Sequence, residues 1–368
     1  MAPNPSAVAI QAAVDGNLRL LKEMARKIDL REAKHPNGGN VLHFAAAKGH
    51  LEICRFLVEE SELNVNCINA DGETPITFTA TGGKVNVLEY LLDHGGDPGM
   101  PDAMGYTPLH DAADHGHYEA VRLLLSRGVD VDPFNGRRLT PLSLASGKGH
   151  DQAVKVLLEH GADPNRVVHN MFSPLILASY AGSLNCIKLL VEAGADLNFK
   201  SPCGASPLMK AVIDGSTDIV EFLLESGANP DIPDVFGEIP IMHAARDGRH
   251  DLVKVIFPHT KPIASLPNWT VDGIITTIKY MPFNAEAAEK DHIVADAKLR
   301  GNEAFAKGDY LGASYFYSMA MAVDPIDATL FSNRSLCRLR LGDGELALLD
   351  AQKCKLMRPR WPTACMVP

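Results

Sequence analysis

Residues 107–132 read TPLHDAADHGHYEAVRLLLSRGVDVD. His110, Asp111, Asp114, His115 and His117 crowd together here, a composition that suggests a metal site or an acid–base centre. Gly116, in the same stretch, points elsewhere. Glycine recurs at 16, 49, 83, 116, 149, 182, 215 and 248, in steps of 33 or 34 residues. Five places after each stands Leu21, Cys54, Leu88, Val121, Val154, Ile187, Val220 or Val253. Chance does not hold a register that long. A period of 33 residues marks a stacked solenoid, whose units bury their apolar sides only against one another.

Each period has an internal logic. Thr107 offers a side-chain cap to a helix start, and Pro108 suits the first helical position, where no backbone N–H is needed. The pattern returns as Thr74-Pro75, Thr140-Pro141, Ser173-Pro174, Ser206-Pro207 and Ile239-Pro240. Small pairs follow (Ala112-Ala113, Ala145-Ser146, Ala178-Ser179, Ala244-Ala245), so neighbouring helices can approach closely. The ladder glycine ends this helix. A second, such as AVRLLLSRG, stops at a glycine at 95, 128, 161, 194 or 227. Loops such as Gly161–Asn165 turn the chain into the next unit.

These residues resemble ankyrin repeats over residues 7–258, in eight units of which the first is degenerate. The resemblance implies an all-α solenoid of helix pairs joined by short β-hairpin loops. It also implies structural work for the histidines: His43 and His110 at helix starts, and His50, His117 and His150 bonding loop backbone. Asp111, Asp114 and His115 then fall on outward positions of a first helix. Leu144, Gly147 and Lys148 replace them one repeat later, so nothing extends the cluster and no metal is expected. The alternative of another class is a metal-dependent hydrolase working through residues 110–119. SGKGH at 146–150 lacks the frame of a phosphate loop, and no GxSxG or HExxH occurs. No catalytic residue and no cofactor is expected. Arg138 stands where Gly105 sits one repeat earlier, which predicts a bent or mobile finger.

Partners of ankyrin arrays bind the concave side, so the resemblance implies a client or signalling protein there. The hairpin tips carry Met104, Tyr106, Phe134, Met171, Phe172 and Phe236. The first helices add Asp111, Asp114, Tyr180, Lys210 and Arg246. Aromatic and arginine side chains of this kind are enriched at interfaces.

The composition agrees with a protein-binding role. Of 368 residues, 46% are hydrophobic and 22% charged. No apolar run reaches the length of a membrane span, and the start lacks the basic and apolar regions of a signal peptide. Residues 286–368 carry equal numbers of acidic and basic side chains, so the whole formal charge of −10 lies on the first 285. Such a body repels phosphate backbones and anionic lipid, which argues against nucleic acid and membrane partners. Seven scattered cysteines without a CxxC suit a reducing compartment. A cytoplasmic monomer is expected, with the nucleus also open to it.

Pro258, Pro262 and Pro267 end the 33-residue ladder, so the ankyrin domain is taken as 1–258. Apolar residues at helical spacing in 268–281 predict a capping helix within a linker, 259–285. From about 292 the period becomes 34. Gly301, Ala313, Tyr317, Ala320 and Pro325 are answered by Ser335, Ala347 and Pro359. This resembles the tetratricopeptide (TPR) repeat, with units at 294–327 and 328–361 inside a partial domain, 286–368.

AKLRGNEAF and FSNRSLC narrow the likeness to carboxylate-clamp TPR domains, which hold the C-terminal tails of cytosolic heat-shock chaperones. Carried over residue by residue, Lys298, Asn302 and Asn333 match three clamp positions. Thr363 and Val367 stand where the resemblance implies a further Lys and Arg, so weak or absent chaperone binding is expected. Ankyrin units followed by TPR units resemble plant ankyrin–TPR proteins. The implied function is a non-enzymatic adaptor with co-chaperone character. The alternative is a pure ankyrin scaffold whose TPR end is structural.

Overall fold

Among the described residues seven α-helices start at proline: Pro5–Val14, Pro75–Thr81, Pro108–Asp114, Pro141–Lys148, Pro174–Tyr180, Pro207–Asp214 and Pro240–Arg246. Proline fixes φ for the helix, and its missing N–H is one the first turn would leave unpaired. The hydroxyls of Thr74, Thr140, Ser173 and Ser206 accept the N–H three residues on. At Thr107 the backbone N–H instead donates to Nδ1 of His110, 3.1 Å away.

The computed structural model describes residues 4–358 except 169–170, 202–203, 235, 265, 281–286 and 342–343. The chain forms two compact units, Met1–Val168 with Ser173–Asp196, and His169–Phe172 with Leu197–Pro368. This division falls inside the 33-residue array. The boundaries expected from the sequence, 258 and 285, do not coincide with it.

In the first unit, helix pairs stack in sequence order. Leu109, Ala112 and Ala113 of one unit and Leu142, Ala145 and Ser146 of the next are all buried. Second helices such as Tyr118–Ser126 and Asp151–Glu159 pack behind them. The single 34-residue step, Gly49 to Gly83, has a local cause. The helix Leu51–Arg55 widens into a π-helical turn over Phe56–Glu60, and Glu62 then takes a left-handed φ of 53°. One extra residue is absorbed without displacing the stack.

The fingers between units are slighter than the expected β-hairpins. Among the described residues there is no strand, and isolated bridges such as Lys34 with Asn40 stand in its place. Asp102 N donates to Tyr106 O at 2.8 Å, and Asn135 N to Leu139 O at 3.1 Å. Successive early fingers are tied together, Ala103 N to Asp71 O at 2.9 Å and Gly136 N to Met104 O at 2.8 Å. Arg138 takes φ 55° where Gly105 takes 76°, and both close the same turn. The expected bend is absent because arginine adopts the left-handed conformation itself, at a cost of about 1 kcal/mol.

In the second unit, the helix Val271–Tyr280 lies on Pro240–Arg246 and His250–Ile256 and buries Ile274, Ile275 and Ile278. Four longer helices follow, Ala287–Ala306, Tyr310–Val323, Ala328–Arg340 and Gly344–Met357, each packed on the next. Ala313, Ala320 and Ala347 are fully buried between them. A β-carbon on Gly301 would lie 2.7 Å from the ring of Tyr317, so glycine is what lets the first pair close. Arg334 and Arg338 converge on buried Asp350 at 2.7 and 2.8 Å. No helix among the described residues is long and apolar enough to cross a membrane.

Candidate functional site

The histidines of the opening stretch are engaged with backbone. His110 donates from Nε2 to Leu139 O at 3.1 Å, and its Nδ1 receives the Thr107 N–H. His43 makes the same pair of contacts with Glu73 O and Asn40 N, and burial drives its pKa down to about 4. Both rings are therefore neutral spacers. His50, His117 and His150 donate from Nε2 to Val14, Thr81 and Asp114 carbonyls at 3.0 Å each. Where arginine replaces histidine, Arg249 reaches Val212 O at 3.2 Å. Among the described residues no group of three or more His, Cys, Asp and Glu is placed to hold a metal ion.

Asp111 differs from its expected place on an open surface. It is half-buried, and its Oδ2 is enclosed without a hydrogen-bond partner among the described residues. Burial, reinforced by the charges of Asp102, Glu73 and Asp114, pushes its carboxyl up to about 8. Neighbouring Asp114 is half-exposed, as is Tyr106, whose ring lies 5.7 Å from that of His110. Met104 is 52% exposed and Phe134 39%. The Phe134 ring lies beneath two guanidinium groups, Arg166 at 4.7 Å and Arg138 at 5.5 Å. Tyr180 is also exposed.

Phe172 is a correction. Expected at a finger tip, it is 6% exposed, and its ring meets Tyr315 edge-on at 5.7 Å. Met171 beside it is buried as well. In the second unit Lys210 pairs with Asp214 at 2.5 Å, and Arg246 pairs with Glu238. His243 approaches Asp234 at 2.9 Å; burial opposes its charging, but the Asp234 bond and the charges of Asp234, Glu238 and Asp247 together outweigh burial and raise its pKa. Phe236 is half-buried.

The C-terminal helices bring three further candidates together. Lys298 and Asn302 share a face of Ala287–Ala306, and Asn333 stands on Ala328–Arg340. Tyr317, 2% exposed, lies beside both asparagines: its hydroxyl donates to Asn302 Oδ1 at 2.7 Å, and the nearby Asn333 side chain favours its ionised form. Burial holds the phenol up at about 12, so it remains a donor. With its oxygen engaged, Asn302 is left with an N–H pair to offer an acceptor. Lys298 forms an ion pair with Asp327. Sequence inspection missed Asp327 and Tyr317 as partners of this trio; the signal for Asp327 is its cap position before Ala328-Thr329. Thr363 and Val367 lie outside the described residues.

A family model for ankyrin repeats matches at 8–102, 61–135, 130–201 and 175–265. The chain belongs to the ankyrin-repeat family. Its ankyrin array is similar to the crystal structure of the human ASB11 ankyrin repeat domain, with a TM-score of 0.55 and 27% identity over 60% of this chain and 98% of that one. Two curated relatives match through TPR-type sequence. One is Tetratricopeptide repeat protein 28 of Homo sapiens, 40% identical over 65 residues, covering 18% of this chain and 3% of that protein. The other is Hsp70-Hsp90 organizing protein 2 of Arabidopsis thaliana, 38% identical over 66 residues, covering 18% of this chain and 12% of that protein. The chain thus spans a small part of either relative. Ankyrin solenoids present extended surfaces for binding other proteins.

Proposed function

We propose that this ankyrin-repeat protein is a cytoplasmic adaptor with two binding surfaces. The ankyrin repeats hold a client or signalling protein, through Met104, Tyr106, Asp114, Phe134 and Tyr180 on the first unit and, as a separate patch, through Lys210, Phe236 and Arg246 on the second. The C-terminal helix pairs receive the free carboxylate of an acidic chain end on Lys298, Asn302 and Asn333. The heat-shock chaperone tails are the proposed source of that chain end. The observation that carries this is one ammonium and two amides on two helices that both pack on Tyr310–Val323, whose Tyr317 holds Asn302 and lies beside Asn333. A terminal carboxylate needs several charge-assisted or amide donors at once, and this arrangement supplies them.

Titrating the whole chain with a peptide ending in Glu-Glu-Val-Asp, and with the same peptide amidated, tests the role. Binding of the free acid, lost on amidation and weakened about tenfold or more by Lys298→Ala, is expected. Equal binding of both peptides removes carboxylate recognition. A second role, in which the C-terminal pairs are structural only, draws support from the intramolecular partners of all three side chains. Deleting 286–368 separates the two: a scaffold keeps every partner, while the adaptor loses chaperones alone.

A further inference from the structure

Asp327 occupies a double position. It precedes the helix Ala328–Arg340, and its Oδ1 accepts from Thr329 N at 2.8 Å and from Thr329 Oγ1 at 2.7 Å. That is helix capping, and one carboxylate oxygen suffices for it. The other oxygen, Oδ2, is turned to Nζ of Lys298. The Asp327 side chain is 12% exposed and that of Lys298 35%, so the pair is half-buried. Burial alone would raise the Asp327 carboxyl, but its bonds to Lys298 and Thr329 hold it below the usual range, and it stays ionised near neutrality.

Lys298 is the one cation among Lys298, Asn302 and Asn333. An incoming carboxylate must therefore displace Asp327 from that ammonium or share it, with two like charges a few ångströms apart. We propose that Asp327 is an internal competitor for the ligand carboxylate on Lys298, and that this competition sets a low affinity for acidic chain ends. The proposal rests on the carboxylate-binding role proposed above. It adds a residue that opposes binding, and it locates the weakness inside the first two helix pairs.

Asp327→Asn separates the two tasks, because asparagine caps helices as well as aspartate does and carries no charge. The probe is the free-acid peptide ending in Glu-Glu-Val-Asp, titrated by calorimetry into four full-length chains: the unaltered protein, Asp327→Asn, Lys298→Ala and the double variant. Thermal melts of each confirm folding. Asp327→Asn is expected to tighten binding about three- to tenfold, the range of a partly exposed ion pair. The gain should vanish in the double variant, since it acts through Lys298. Unchanged or weaker binding by Asp327→Asn, with Lys298→Ala still weakening it, overturns the competition and makes Asp327 a residue that positions Lys298. A gain that persists without Lys298 also overturns it, in favour of general charge repulsion. If Lys298→Ala changes nothing in either background, the carboxylate role itself falls.

Discussion

The imidazole of His150 fills the space that a β-carbon on Gly116 would take. Its Nδ1 lies 2.7 Å from that position, while its Nε2 donates to Asp114 O at 3.0 Å. His117 stands over Gly83 and His50 over Gly16 in the same way. At these three rungs glycine therefore has two causes: a left-handed φ, 73° at Gly116, and room for the histidine of the next unit.

Gly116→Ala is accordingly expected to destabilise the protein by about 2–4 kcal/mol, from left-handed strain plus overpacking. Gly128→Ala is the control, since Gly128 has φ 81° but nothing within 4 Å of its added carbon. It should lose only about 1 kcal/mol. Urea unfolding compares the two. In the Gly116→Ala, His150→Ala pair the combined loss should fall short of the sum, because removing the ring relieves the clash.

Asp111 predicts a pH dependence of defined sign. Its folded-state pKa, about 8, lies above the unfolded value near 4, so the folded chain binds the extra proton. Stability from this group is full below about pH 4 and declines as pH rises toward 8. Asp111→Asn keeps the shape without the charge. It should stabilise the protein by on the order of 1–2 kcal/mol at pH 8 and by progressively less toward pH 5, measured as thermal midpoints across the series. A constant difference would show that Asp111 is solvated.

The two finger aromatics should part company. Phe172→Ala removes a buried ring and is expected to cost about 3–5 kcal/mol, so any loss of partner capture reports unfolding. Phe134→Ala removes a half-exposed ring and two cation–π contacts, for about 1 kcal/mol or less. Lost capture by a folded Phe134→Ala chain would identify that finger as a contact.

Tyr317→Phe deletes the hydroxyl that holds Asn302 Oδ1. The expected outcome is a stability loss of about 1–2 kcal/mol and a several-fold weaker hold on the free-acid peptide, because the Asn302 amide is then free to turn. Calorimetry reads the second effect. Unaltered peptide affinity would show that the Asn302 amide does not meet the carboxylate.

The array was legible in the sequence because what builds it is local. A proline at the first turn, a hydroxyl cap and a left-handed glycine each act within a few residues. Repetition then fixes which side of every helix must be buried. The TPR-type pairs were legible for the same reason: Gly301, Ala313, Ala320 and Ala347 announce close helix contact. Among the site residues, Lys298, Asn302 and Asn333 were marked by the resemblance of AKLRGNEAF and FSNRSLC to carboxylate-clamp TPR domains.

What spacing could not show was what each side chain meets across the fold. Phe172 stands at a tip position by register, but Tyr315, far along the chain, covers it. Asp111 has an outward position, yet the acids of neighbouring fingers and burial decide its protonation. Lys298 looked like a free cation until Asp327 was found beside it. Periodicity determines which way a residue faces, because that follows from backbone geometry. Exposure, charge state and pairing depend on packing between distant segments, and only the tertiary structure decided them.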